Sequence, residues 1–228
     1  MTRPREQPGF GALLLLILTV YALIIVVGGS RTTSPLRVVV LGGVLVVAVR
    51  MASRRRSWIG AAVLGGVGGL ALSVVATWLD NATLATALTS AAVVALVVIT
   101  VTVIVRTLLR RGRVDVHAVT GALSVYLLLA LFFSSLHQLL ATMASGTYVN
   151  GIASATDASA YLYFSVTTLT TVGFGDITAA SPAARAVVVA EALIGQLYLV
   201  SVVAAVVGRW TPNPNRLRRD QSDDAPPG

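Results

Sequence analysis

A run of small and β-branched residues in the C-terminal half of the chain could expose successive backbone oxygens. It reads Thr171-Val172-Gly173-Phe174-Gly175-Asp176. Consecutive carbonyls point the same way only if the backbone angles alternate in hand. Glycine adopts positive φ at little cost, which accounts for Gly173 and Gly175. The carbonyls of residues 171–174, with the Thr171 hydroxyl, would then replace the hydration shell of a cation. One chain provides one wall of such a site, so several copies are needed to close it.

This run resembles the selectivity filter of tetrameric potassium channels, whose loops read TVGYG, except that Phe174 stands in place of the tyrosine. The preceding segment, Tyr163–Thr170, is similar to the pore helix of that family. Val114–Leu129 resembles the outer pore helix of its bacterial members, and Glu191–Tyr198 resembles part of the inner helix. The likeness covers about Val114–Gly208.

The resemblance implies a potassium-selective homotetramer that conducts K⁺ passively, without enzymatic activity and without a cofactor other than the permeant ion. It assigns K⁺ binding to Thr171, Val172, Gly173, Phe174, Gly175 and Asp176. The first four of these residues would bind the ion through their backbone oxygens. It assigns support of the filter from the pore helix to Phe164, Thr167, Thr168 and Thr170.

Two positions depart from the family pattern. Thr167 stands where some relatives have a glutamate that bonds the filter aspartate, so Asp176 lacks that partner. Phe164 stands at the position of a tryptophan that usually bonds the filter tyrosine, which is here Phe174. Because both polar partners are missing together, an apolar contact without an unsatisfied group is expected, and potassium selectivity should survive.

Within the inner helix, the family register makes Gly195 a candidate gating hinge. A glycine in the middle of a membrane span also serves close helix packing, so packing is the alternative. The same register gives three candidates for lining the cavity, namely Gln196, Leu199 and Val203.

Glu191 is the one acid within a predicted span, and such residues are by default functional or paired. We expect it to be neutral and hydrogen-bonded to hydroxyls of the pore helix rather than to ligate the ion directly. The partners that the register offers are Ser165, Thr167 and Thr168.

The composition indicates a membrane protein. The 228 residues have a mean hydropathy of +0.84, with 56% hydrophobic and 11% charged residues. The absence of cysteine excludes disulfides and thiolate metal sites. The net charge of +8 would favour nucleic acid as a partner of a soluble protein, but the placement of the arginines explains it better.

We therefore predict an all-α membrane protein with six transmembrane helices, a re-entrant pore helix and a filter loop. The spans are Phe10–Val27, Leu36–Met51, Trp58–Leu79, Ala82–Val105, Val116–Leu140 and Ala183–Val207. The pore helix is Ala158–Leu169, and Asp157 or Thr156 can cap its N-terminus.

The arginines predict the orientation. With six spans, 14 of the 17 arginines fall on one side of the membrane, which places both termini in the cytoplasm. The loop Thr142–Asp157 and the filter Asp176 then face outward. We expect a multi-pass protein of the plasma membrane.

The first four spans occupy the place of a voltage sensor, but they lack its charges. Sensing needs about three to four charges per subunit in the field, whereas Leu84–Val105 carries none. The predicted division is a cytoplasmic N-terminus, a four-helix peripheral domain without gating arginines, a cytoplasmic linker, the pore domain and a disordered cytoplasmic tail. Their bounds are residues 1–9, 10–105, 106–115, 116–208 and 209–228.

The linker leaves two alternatives open. The arginines of Arg106–Arg113 either determine topology only or rest on anionic lipids. His117 is expected to help cap the next helix and His137 to form structural hydrogen bonds, with pH sensing as the alternative for both. The roughly 20 residues after Val207 are too few for a regulatory domain, although a separate regulatory subunit remains possible.

Two other classes of function remain as alternatives. A secondary cation transporter usually shows inverted repeats and interrupted helices, and the sequence contains one filter and no repeat. A non-conducting, channel-like subunit or scaffold is disfavoured by the intact filter, but only reconstitution decides.

Overall fold

A computed structural model of the chain describes residues 10–27, 42–44, 46–47, 68, 71, 75, 82–110 and 116–210. Within these ranges the elements are α1 (Phe10–Val27), α2 (Ala82–Arg110), α3 (Val116–Met143), β1 (Val149–Asn150), α4 (Ala158–Leu169), β2 (Thr178–Ala179) and α5 (Pro182–Trp210). Three helices, α2, α3 and α5, are long and apolar enough to cross a membrane, and α1 is a shorter apolar helix. The spans predicted at 36–51 and 58–79 lie almost entirely outside the described residues.

The helix bounds follow local signals in the sequence. α1 and α4 have the predicted bounds, whereas α2 continues to Arg110 and α3 to Met143. α4 begins after Asp157, whose carboxylate accepts hydrogen bonds from the backbone N–H groups of Ser159 and Ala160. This cap satisfies donors that have no partner inside the helix.

Helix α3 is the central element, because α1, α2, α4 and α5 all contact it. Leu128 and Leu131 of α3 share one core with Leu13 and Ile17 of α1 and with Val97 of α2. Half of the most apolar stretch of α3 is buried, whereas only 17% of the corresponding stretch of α5 is buried. Within one chain, therefore, α5 lies at the edge of the fold and α3 at its centre.

Two polar contacts connect helices from the N-terminal half to α3. The Tyr21 hydroxyl of α1 donates to the Leu127 carbonyl at 2.8 Å. Ser90 of α2 donates to the buried side chain of Gln138 at 3.1 Å, and the Gln138 amide donates to the Ala155 carbonyl at 3.0 Å. α1 and α2 thus pack against α3, which in turn contacts α4.

The all-α prediction missed a short antiparallel pair of strands. Val149 is paired with Ala179, and Asn150 with Thr178. The carbonyl of Tyr148 also accepts from the N–H groups of two residues that precede α5, Ala180 and Ser181. These bonds join the loop after α3 to the segment that follows residues 170–176.

Helix α4 is too short to cross a membrane, since its 12 residues extend over about 18 Å. It contacts both α3 and α5. Its C-terminal end is followed directly by the candidate filter. The packing of α4 between two longer helices therefore determines where that stretch lies.

Candidate functional site

The backbone of the candidate filter alternates in hand. Positive φ angles occur at Thr171 (61°), Gly173 (50°) and Gly175 (84°), and the two residues between them have negative φ. The expectation for the two glycines is confirmed. The positive φ of Thr171 was not predicted, because an L-residue with a β-branched side chain rarely adopts it. Strained backbone of this kind is concentrated at functional sites.

The N–H groups at the start of this stretch point back toward α4. Thr171 donates to the Thr168 carbonyl at 2.9 Å, and Val172 and Gly173 both donate to the Thr167 carbonyl, at 2.9 and 3.1 Å. A peptide unit that directs its N–H one way directs its C=O the other way. Among the hydrogen bonds of the described residues, none ends on a carbonyl of residues 171–174. A row of backbone oxygens is thus left available.

Residues 170–176 are all exposed in a single chain. The apolar side chains of Val172 and Phe174 are exposed by 55% and 70%. The α4 helix ends at Leu169, so its negative dipole end adjoins this stretch. The wall of oxygens is therefore open on one side, next to a helix end that favours cations.

Tyr163 has a place at this site that sequence reasoning did not assign to it. Its ring is stacked on that of Phe174, with centroids 6.2 Å apart and an interplanar angle of 4°. Its side chain also lies near that of Asp176. The filter aspartate thus has a polar neighbour in α4, although not at position 167.

Phe164 is buried and lies against His137, with ring centroids 5.2 Å apart. The ring found against Phe174 within one chain is that of Tyr163. The expected apolar contact between Phe164 and Phe174 is therefore not made among the described residues of a single chain. The physical reason is orientation, because consecutive residues of a helix point about 100° apart.

A groove of about 350 Å³ brings the predicted support residues and the filter together. It is lined by residues of α4, the filter and α5, among them Phe164, Thr167, Thr168, Thr171 and Gly173. Thr170 is exposed, and its hydroxyl donates to the Val166 carbonyl at 2.7 Å.

Glu191 is fully buried and is held by two side chains. The Ser165 hydroxyl is hydrogen-bonded to its Oε1, and Nε2 of His137 lies 3.0 Å from its Oε2. Of the three expected hydroxyl partners, Ser165 is the correct one, whereas Thr167 donates to the Phe164 carbonyl instead. Sequence reasoning missed His137. The signal was present, because two ionisable residues within predicted spans are expected to pair with one another.

His137 has a second partner in the loop after α3. Its Nδ1 lies 2.9 Å from the Tyr148 hydroxyl. Tyr148 is itself only 5% exposed, and this burial raises the pKa of its phenol above the usual value. The hydroxyl therefore keeps its proton at neutral pH. The expectation that His137 forms structural hydrogen bonds agrees with these two contacts.

Gly195 lies at the crossing of α5 and α4. A Cβ at this position would be 2.5 Å from the Leu169 carbonyl oxygen and 2.8 Å from the Leu169 Cδ1. Real carbon atoms do not approach so closely, so the glycine permits the two helices to touch. This is the packing role given above as the alternative to a hinge.

The remaining candidates are placed only in part. Gln196 and Leu199 are exposed in one chain, as is Arg106. The side chains of Val203 and His117 lie outside the described residues, as does most of the linker after Arg106.

A comparison with known protein families assigns the part of the chain that contains this site. Residues 121–211 match the family described as ion channel. That range contains most of α3, all of α4 and the filter, and α5. No curated protein and no solved structure matches the chain. The three apolar helices long enough to cross a membrane indicate a multi-pass membrane protein, and its residues 121–211 are similar to the ion-channel family.

Proposed function

We propose that this protein is a potassium-selective channel in which four copies of residues 171–175 surround one ion path. The observation that carries the proposal is the alternating backbone of Thr171, Gly173 and Gly175. The N–H groups of Val172 and Gly173 donate to the Thr167 carbonyl, and the carbonyls of residues 171–174 accept no hydrogen bond from the described part of the chain. Such carbonyls replace the water shell of K⁺ in filters of this kind.

The exposure of this wall supports assembly. Apolar Val172 and Phe174 and carbonyl oxygens lie side by side on the surface of one chain. The edge helix α5 also leaves Leu193, Leu197 and Val200 more than half exposed. Three further copies would cover these surfaces and complete the oxygen rings, so we propose a homotetramer. The open side of a single filter cannot by itself enclose a dehydrated ion.

The gating proposal concerns voltage. Residues 82–105 of α2 carry no charge, and the first arginine of this helix is Arg106 at its far end. Moving one elementary charge through 100 mV contributes roughly 2.3 kcal/mol, and steep gating uses three to four per subunit. We therefore propose a channel whose opening depends little on voltage. On the distribution of the arginines, we also propose that it lies in the plasma membrane with both termini in the cytoplasm.

Flux into liposomes tests the function. Vesicles that contain the purified protein and an outward K⁺ gradient should take up tracer K⁺. Vesicles with the same outward gradient of Na⁺ should take up little tracer Na⁺. In the variants Gly173→Ala and Gly175→Ala the selective uptake should be lost. Gly146→Ala is their matched control, because a Cβ there meets nothing within 4 Å and Gly146 is distant from the filter in sequence. Equal uptake of both ions would refute selectivity. A mass of one or two chains in mild detergent would refute the tetramer.

A further inference from the structure

Four buried polar side chains lie in a row beside the filter, and each comes from a different segment. They are Tyr148 of the loop after α3, His137 of α3, Glu191 of α5 and Ser165 of α4. His137, Glu191 and Ser165 are fully buried, and Tyr148 is 5% exposed. Ion conduction through the filter oxygens does not use any of these side chains, so their presence requires its own explanation.

The contacts in this row define which protons it can hold. Ser165 has one hydroxyl proton, and its Oγ lies 2.8 Å from the Ala130 carbonyl, which can only accept. If Ser165 donates there, its contact with Glu191 needs a proton on Glu191. Oε2 of that neutral acid then accepts from Nε2–H of His137. Nδ1 of the same ring is left as an acceptor for the Tyr148 hydroxyl.

Other placements of the protons leave either a buried donor without an acceptor or a buried charge. If His137 carried a proton on Nδ1, it would donate to the Tyr148 oxygen, whether or not Glu191 were ionised. The Tyr148 hydroxyl would then need another acceptor, and the described residues offer it none at hydrogen-bond distance. A buried donor without a partner is costly. If instead Glu191 were ionised beside an Nε2–H ring, every donor would have an acceptor. Ser165 would then have to share its one proton between Glu191 and the Ala130 carbonyl, and a negative charge would be buried.

We propose that Tyr148, His137, Glu191 and Ser165 form an uncharged, one-directional hydrogen-bond chain that positions the filter. The proposal rests on the proposed function, because it concerns the same filter. It adds that His137, Glu191 and Ser165 are positioning residues for ion selection, and that the acid is protonated and the histidine is the neutral Nε2–H tautomer.

The hydrogen-bond chain is connected to the filter at both of its ends. Ser165 lies in α4, six residues before the first filter residue, Thr171. Tyr148 accepts, through its carbonyl, from the N–H groups of Ala180 and Ser181 in the segment that returns from the filter. A shift of Glu191 in α5 would therefore act on both sides of the filter at once.

Among the described residues, no arginine forms an ion pair with Glu191. The other titratable side chains near the row are Tyr21 of α1, which lies near Glu191, and Tyr161 of α4, which lies near Tyr148. Apart from Glu191 and His137, no ion pair is formed within the described part of the chain.

Spectroscopy tests the proton positions without reference to transport. The chain has two histidines, so His117→Asn leaves His137 as the single histidine and isolates its ¹⁵N signals. The proposal expects a neutral Nε2–H ring and an infrared band of a protonated carboxylic acid that disappears in Glu191→Gln. A doubly protonated ring, or the absence of that band in the unchanged protein, would overturn the proposal even if the protein did not conduct.

Transport by matched variants tests the positioning role. In Glu191→Gln the amide oxygen accepts from His137 and the amide N–H donates to Ser165, so K⁺ over Na⁺ selectivity should stay within about twofold of the unchanged protein. Glu191→Leu leaves the buried Nε2–H of His137 without an acceptor, and selectivity should fall by about tenfold or more. Loss of selectivity in the glutamine variant with retention in the leucine variant would overturn the proposal.

Should the leucine variant not assemble, the glutamine variant and the two spectra still decide. If the unchanged protein does not select K⁺, the proposed function fails, and the spectra alone judge the proton arrangement.

Discussion

Replacing Gly195 by alanine should destabilise the contact between α4 and α5. The added Cβ would lie 2.5 Å from the carbonyl oxygen of Leu169 and 2.9 Å from its Cγ. The Leu169 side chain can rotate, but its carbonyl belongs to the backbone at the end of α4 and also accepts from the Tyr126 hydroxyl at 3.1 Å. Relief to normal van der Waals distance thus requires the helices to separate by about 1 Å.

The magnitude follows from the cost of overpacking, which is typically 1–3 kcal/mol. Alanine is favoured over glycine inside a helix by about 1 kcal/mol, so the observed loss of stability will be smaller than the steric cost alone. Gly11→Ala is the matched control, because Gly11 is also in a helix and a Cβ there meets nothing within 4 Å. We expect Gly195→Ala to lower the free energy of unfolding in detergent, while Gly11→Ala leaves it unchanged or slightly raised.

The assay combines equilibrium unfolding in detergent with K⁺ and Na⁺ flux in liposomes. Because Leu169 ends the helix that precedes the filter, a displaced α4 should also weaken ion selectivity. Equal stability of the two alanine variants would refute the packing account. A hinge without packing gives a different pattern, in which Gly195→Ala raises stability through helix propensity and alters only channel opening.

Three further predictions concern the filter, the helix cap and the response to voltage. Gly173→Ala and Gly175→Ala should each abolish selective conduction, because a Cβ opposes the φ of 50° and 84° although it meets no atom within 4 Å; flux with unchanged selectivity in both would show that the backbone is misassigned. Asp157→Ala should cost about 1 kcal/mol of unfolding free energy through the lost cap of α4, whereas Asp157→Asn should cost little, and equal losses would contradict the cap. Planar-bilayer currents should depend weakly on voltage, since residues 82–105 carry no charge, and a steep curve arising from movement of the protein would contradict this.

Local signals in the sequence accounted for the helices that the structure describes. The apolar run of α1 and the Asp157 cap of α4 lie within single segments, so pattern and propensity were sufficient to place them. Positive φ at Gly173 and Gly175 followed from the glycine type alone. Thr171 carries no such signal, because its conformation is imposed by the hydrogen bonds that turn its neighbours toward the Thr167 carbonyl.

Most contacts between distant segments are not specified by local sequence patterns, and these were not predicted. Glu191 was recognised as a paired acid, but its partner His137 is 54 residues away and was assigned only to unspecified structural bonds. The pairing of Val149 with Ala179 involves strands of two residues, too short to show alternation. The close approach at Gly195 depends on the crossing of two helices, which the sequence of either one does not specify.

The most direct test of the central claim is the reversal potential of the reconstituted channel with K⁺ on one side of a bilayer and Na⁺ on the other. If the carbonyls of residues 171–174 form the ion path, the potential will lie close to the equilibrium potential of K⁺ and will follow K⁺ when its concentration is changed. A potential near zero, with K⁺ and Na⁺ equally permeant, would contradict the account.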